Sequence, residues 1–173
     1  PYAEKVSSYL VEVYMNTRSY DAALKSIDRI AKPSAQILEA KQKILFQLGT
    51  QSFANADFEQ ALKYLNQSIA IGQYNRQTKA DAYYWCGESY YRLNRMVEAA
   101  RDFNAYLQLT TQPNNEMYAL ANYNLGYIAF HRKDYTQASN YFQKYIQLEK
   151  GENTTALADA YNRIGDCHLH VRN

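Results

Sequence analysis

Residues that interrupt helices are scarce in this sequence: six Gly and three Pro among 173 residues. A collagen-like, mucin-like or turn-dense all-β chain needs more of both. Cysteine is scarcer still. Cys86 and Cys167 are the only two, too few for a disulfide framework and without the CxxC spacing of a zinc or redox site. Neither sign of charge dominates: 19 Lys and Arg against 17 Asp and Glu give +2. The basic residues are scattered, so the clustered stripe that phosphate binding needs is missing, which argues against nucleic acid as a partner. No apolar run approaches the roughly 20 residues that span a bilayer. The chain opens on Pro1, with no basic, then apolar, then small-residue leader behind it, and reads as a piece of a longer protein.

Signatures of catalysis are missing too. There is no Gly-rich phosphate loop, no GxSxG and no HExxH. Of the three histidines, His131, His168 and His170, the last two lie about 200° apart around a helix and cannot easily face one metal. The expectation is therefore no enzyme, no cofactor and no metal within these residues.

Tyrosine is abundant, with 18 copies, and it recurs in register. The segments ILFQLGTQSF, YYWCGESYY, NYNLGYIAF and YNRIGDCHL align on Gly49, Gly87, Gly126 and Gly165, spaced 38, 39 and 39 residues apart. Twelve residues after the first three glycines lie Ala61, Ala99 and Ala138, and an earlier copy has Val11 and Ala23 at the two places. A period in this range indicates stacked supersecondary units.

Each unit reads as two helices. Tyr83, Cys86, Tyr90 and Leu93 keep the three-and-four spacing of one helical face, and Phe103, Tyr106, Leu107 and Leu109 keep that of the next. Short polar turns, NTRS, NAD, LNR and RKD, separate the two helices of a unit. Asp57 with Gln60, and Asp134 with Gln137, have capping-box spacing and predict second-helix starts. The segments AKPSAQ, GQYNRQT, TTQPNNE and EKGENTT predict loops between units. A mid-helix Gly costs about 1 kcal/mol relative to Ala, so its recurrence predicts a close helix crossing, with each Gly facing the small Ala twelve residues on. On this reading Gly126→Leu destabilises, and Gly151→Leu, in a loop, does not.

The fullest copy, NYNLGYIAFHRKDYTQASNYFQKYIQL, resembles the tetratricopeptide repeat (TPR), a helix-turn-helix solenoid unit. The resemblance implies an all-α, right-handed solenoid of stacked antiparallel helix pairs, about nine helices in one array over 1–173. Its units fall at about 4–35, 42–74, 80–112 and 119–151, with the first helix of a fifth at 156–171. The period exceeds the family's usual one by four or five residues, which implies extended helices or loops. Tyr106 and Tyr145 stand where the family usually has a small Ala. Long units with an aromatic there are similar to TPR proteins of bacterial cell envelopes, so the bacterial envelope (periplasm) and the cytoplasm both stay open as locations. Cys86 and Cys167 fall two units apart, beyond disulfide reach at roughly 10 Å per helix layer, and are expected to be free and buried.

For function, the resemblance implies a protein-interaction scaffold. Side chains three before and one, four and five after each unit glycine are expected to line the concave face. The expected groove holds Phe46 and Phe53; then Tyr84, Glu88, Tyr91 and Arg92; then Tyr123, Tyr127, Phe130 and His131; then Asp166. Such a groove is aromatic and partly acidic and suits a peptide-like or helical partner with apolar anchors and some Lys or Arg. The alternative is a structural spacer or oligomerisation arm with an inert groove. The places of a chaperone-tail carboxylate clamp, Gln47, Asp81 and Trp85 among them, are not basic, which argues against that ligand. The last helix lacks a second helix of its own, so it leaves an apolar face exposed, packs on another copy or, the favoured reading, continues into further repeats of a longer protein.

Overall fold

A computed structural model describes residues 10, 11, 13 and 18–172. Among them there are eight α-helices and no strand: α1 (Tyr20–Asp28), α2 (Ala35–Ala54), α3 (Phe58–Ile71), α4 (Arg76–Arg92), α5 (Met96–Leu109), α6 (Glu116–His131), α7 (Tyr135–Leu148) and α8 (Thr154–Arg172). The ninth, expected at the start of the first unit, lies largely outside the described residues. Its Val11 is buried against Ala23, Ile27, Ile44 and Leu48. The chain divides into two compact units, one ending at Leu109 and one beginning at Thr110. In the first, α2 pairs with α3 and α4 with α5, and α4 also packs on α3; in the second, α6 pairs with α7, and α8 packs on α7.

The long period resides mostly in the first helices, which run to 20, 17, 16 and 19 residues for α2, α4, α6 and α8. They begin earlier than the apolar pattern suggests because polar caps sit inside the loops. Ser34, Asn75 and Asn115 are N-caps whose side chains accept the backbone N–H three residues on, and Asn153 does the same for Ala156. Each cap satisfies an amide that the helix itself cannot. The capping signals at the second helices hold: Asp57 Oδ1 accepts from Gln60 N, and Asp134 Oδ1 from Gln137 N, both at 3.2 Å.

The turn inside each unit has one conformation. Arg18, Ala56, Asn94 and Lys133, one repeat apart, have φ of 59°, 60°, 60° and 64°. At the last three, the left-handed residue and its successor donate to carbonyls three and five residues back, for example Lys133 N to Phe130 O and Asp134 N to Ala129 O, both 3.0 Å. This is the Schellman closure, usually built on glycine.

Three of the recurrent glycines, Gly49, Gly87 and Gly126, are close-approach positions, but the side chain nearest each is not the expected Ala, and Gly165 has nothing within 4 Å. A Cβ at Gly87 would lie 2.8 Å from the Phe103 ring, one at Gly126 2.8 Å from the Phe142 ring, and one at Gly49 2.5 Å from Leu65. The large residue sixteen positions on fills the notch, and at Gly49 the nearest Ala61 atom, its carbonyl oxygen, stands farther off at 3.4 Å. Phe103 and Phe142 are fully buried, and each such ring contributes roughly 2–3 kcal/mol, which outweighs the propensity cost of the Gly. Gly151 also departs from expectation. Its φ of +84° is one that L side chains strain to adopt, so substitution there is not neutral.

One buried polar side chain closes the first unit. Gln42 is fully buried; its Oε1 accepts from Asn75 N at 3.0 Å and its Nε2 donates to Asn75 O at 2.8 Å. It thereby ties α2 to the residue that caps α4, and its own buried amide finds both a donor and an acceptor there. Both cysteines are free and buried.

Candidate interaction surface

In the first unit, the side chains singled out by the repeat register separate into packing and surface groups. Tyr84 is 3% exposed and packs edge-on against Phe103 and Tyr106 of α5, at 5.7 and 5.4 Å between ring centroids. Its hydroxyl donates to Glu88 Oε1 at 2.9 Å. Tyr84 thus belongs to the interior of the helix pair, and the unusual Tyr106 is its neighbour there. Phe46, one repeat earlier, is half-buried.

Phe53, Tyr91 and Arg92 remain nearer the surface. Phe53 and Tyr91 are half-buried and Arg92 is exposed. The Phe53 ring meets Phe58 at 5.2 Å and Trp85 at 4.9 Å, and the Arg92 guanidinium lies 5.6 Å from the Phe53 centroid. Burial and the adjacent Glu88 carboxylate push the Tyr91 hydroxyl above its ordinary range. Trp85, the chain's one tryptophan, is half-buried and was not among the register positions. Its signal was available as a large ring beside the unit glycine. Phe53, Trp85, Glu88, Tyr91 and Arg92 therefore form an aromatic surface edged by one carboxylate and one guanidinium.

The second unit uses its rings differently. Tyr123 meets Phe142 and Tyr145 at 5.9 and 4.9 Å, and Tyr127 meets Phe142 at 5.2 Å. Both hydroxyls donate to the same oxygen, Asp159 Oδ2, Tyr123 at 2.6 Å. Burial first, and the Asp159 hydrogen bond second, push Tyr127 up to about 12 and Tyr123 higher. Asp159 is the anchor that joins α8 to α6. Phe130 packs on Tyr135 at 5.4 Å, with Arg163 5.9 Å from its centroid. His131 is exposed. Asp166 is engaged by Arg163 at 3.2 Å. His170 stacks on Tyr135, 4.2 Å apart and 6° from parallel.

Asp102, on the second helix of its unit, also escaped the sequence reading. It is 2% exposed; Oδ1 accepts from Arg101 Nε at 3.0 Å, and among the described residues Oδ2 has no hydrogen-bond partner. Burial raises its pKa above the usual carboxylate range. Among the described residues no group of three or more His, Cys, Asp and Glu side chains could hold a metal ion, and no helix is long and apolar enough to cross a membrane.

Paired helices with a glycine notch and a left-handed turn at a 38–39 residue period match two family models described as tetratricopeptide repeat, over residues 46–116 and 119–151. The chain belongs to the tetratricopeptide repeat family. Solved TPR structures and others share the fold. A crystal structure of MamA protein is 18% identical, with 97% of this chain and 82% of that one covered and a TM-score of 0.63. BtubC (BKLC) from P. vanneervenii is 13% identical over 95% and 71%, TM-score 0.65. YrrB, described as a TPR protein with an unusual peptide-binding site, is 16% identical over 94% and 75%, TM-score 0.63. No curated protein matches this TPR chain.

Proposed function

We propose that this TPR chain is a protein-interaction scaffold and that the aromatic surface of its first unit receives the partner. The observation that carries the reading is the Phe53–Trp85 pair with Arg92 over it. Large rings left half-exposed on first helices, with a charged group at the edge, are what interaction hot spots are built from. TPR membership supports a protein or peptide partner, and YrrB, a fold relative, is described as having a peptide-binding site. The surface suits a peptide-like or helical segment with an apolar anchor for Phe53 and Trp85. A basic residue on that segment would face Glu88, and an acidic one Arg92.

A second reading, a rigid spacer, is favoured by the second unit. There the Tyr123 and Tyr127 rings pack on α7 and both hydroxyls are engaged by Asp159, leaving less of each tyrosine for a ligand. The two readings separate in a pull-down from the native extract with wild-type chain and with Phe53→Ser/Arg92→Glu, helicity being checked by circular dichroism. Loss of the captured partners from a folded variant supports the scaffold reading. Retention of the same partners favours the spacer.

A further inference from the structure

Asp102 lies on α5 inside the first unit, and the proposed surface makes no use of it. Its place in the repeat is unusual. The corresponding residues of α3 and α7 are Tyr64 and Tyr141, half-buried rings that pack against the adjoining cores. On the first helices the exchange runs the other way, since α2 has Ser52 and α6 has Ala129 where α4 has Tyr90. In the α4–α5 pair the ring therefore comes from α4, and α5 encloses a carboxylate where the other second helices place a tyrosine.

That carboxylate is only half satisfied. Oδ1 accepts from Arg101 Nε at 3.0 Å, whereas Oδ2 is buried and, among the described residues, has no hydrogen-bond partner. An ionised oxygen left dry is costly, because nothing replaces the water it gives up. The charges near it do little to offset that. Arg101 and Glu98 bear on it from its own helix with opposite signs. The Arg101 side chain is 62% exposed, so solvent screens it, and its guanidinium also lies 5.8 Å from the Tyr90 ring of α4. The other titratable group close by is the Cys86 thiol, also on α4. Burial first, and the Asp102 charge second, keep that thiol protonated, and its Sγ donates to Asn66 Oδ1 of α3 at 3.8 Å. A proton from solvent on Oδ2 removes the buried charge and leaves Oδ1 free to accept from Arg101.

We propose that Asp102 makes the first unit proton-responsive: uptake of one proton on Oδ2 tightens the α4–α5 pair, and its loss loosens the pair. Burial is what makes the folded chain hold this proton more firmly than the unfolded one. By linkage, the stability so gained grows as pH falls through the folded titration and is complete below the unfolded value of about 3.9.

Two measurements on the full chain test this. The carbon-13 carboxyl resonance of Asp102, assigned by its absence from Asp102→Asn, is expected to titrate above about pH 3.9. Urea denaturation followed by the fluorescence of Trp85, which lies on α4, reports on the first unit. At about pH 8 Asp102→Asn is expected to raise the midpoint by roughly 0.5 M, and the gain is expected to shrink steadily as pH falls to about 4. Tyr90→Ala with Asp102→Tyr gives α4 and α5 the residues of α6 and α7, and its difference from wild type is expected to change with pH in the same sense. This double variant takes the place of Asp102→Asn should the single one not fold. A resonance that titrates at or below about pH 3.9 overturns the proposal. So does a midpoint difference from wild type that is the same at about pH 8 and about pH 4.

Discussion

Gly126 and Gly165 stand at one register of the repeat, and a methyl group added to each meets opposite surroundings. At Gly126 it would press on the Phe142 ring, and at Gly165 it would meet nothing. Gly126→Ala should therefore destabilise the chain by about 1–3 kcal/mol through overpacking. Gly165→Ala should stabilise it by about 1 kcal/mol through helix propensity. Urea denaturation of the two variants measures both signs. The repeated glycines were legible as close-approach positions, yet the neighbour was misread. A small Ala is the natural partner for Gly by size, whereas the volume left by the missing Cβ is filled one helical turn further on, by a ring at Gly87 and Gly126 and by Leu65 at Gly49. Tyr84 shows the same limit, since its spacing from Gly87 does not reveal that Phe103 and Tyr106 enclose it.

Helices and turns were more legible than single contacts, because period and capping chemistry are local. Asp57 and Asp134 marked second-helix starts correctly. The first helices start earlier than the apolar pattern indicates, because Ser34, Asn75 and Asn115, loop residues by composition, are N-caps. The left-handed residues escaped notice, because Ala56 and Lys133 carry none of the glycine signal that usually marks such a turn. Lys133→Gly should relieve that conformation and raise stability by about 0.5–1 kcal/mol in a urea titration. Between elements, the two tyrosine hydroxyls on Asp159 hold α6 to α8. Tyr127 is raised from 10.0 to about 12, so the folded state keeps its proton longer than the unfolded chain. The stability from this link is present below about pH 10 and lost as pH rises toward 12. Asp159→Ala should begin to lose helicity at lower alkaline pH than wild type when followed by circular dichroism.

At the scale of the whole molecule, the four in-register glycines and their helix pairs made the TPR fold readable from sequence. Which of the register positions stay exposed was readable only in part. Phe53, Tyr91 and Arg92 reach the first unit's surface, while Tyr84, Tyr123 and Tyr127 pack on the second helices of their own pairs. The register sets which face a side chain leaves from; the neighbouring helix decides whether it stays exposed. Trp85 joins the surface because α2 brings Phe53 against it. That surface of the first unit is the proposed partner site. Hydrogen exchange of the chain, alone and with a partner captured from extract, tests it most directly. Slowed exchange at 46–54 and 84–92 is the predicted result, and unchanged exchange in both segments with a partner bound elsewhere would contradict it.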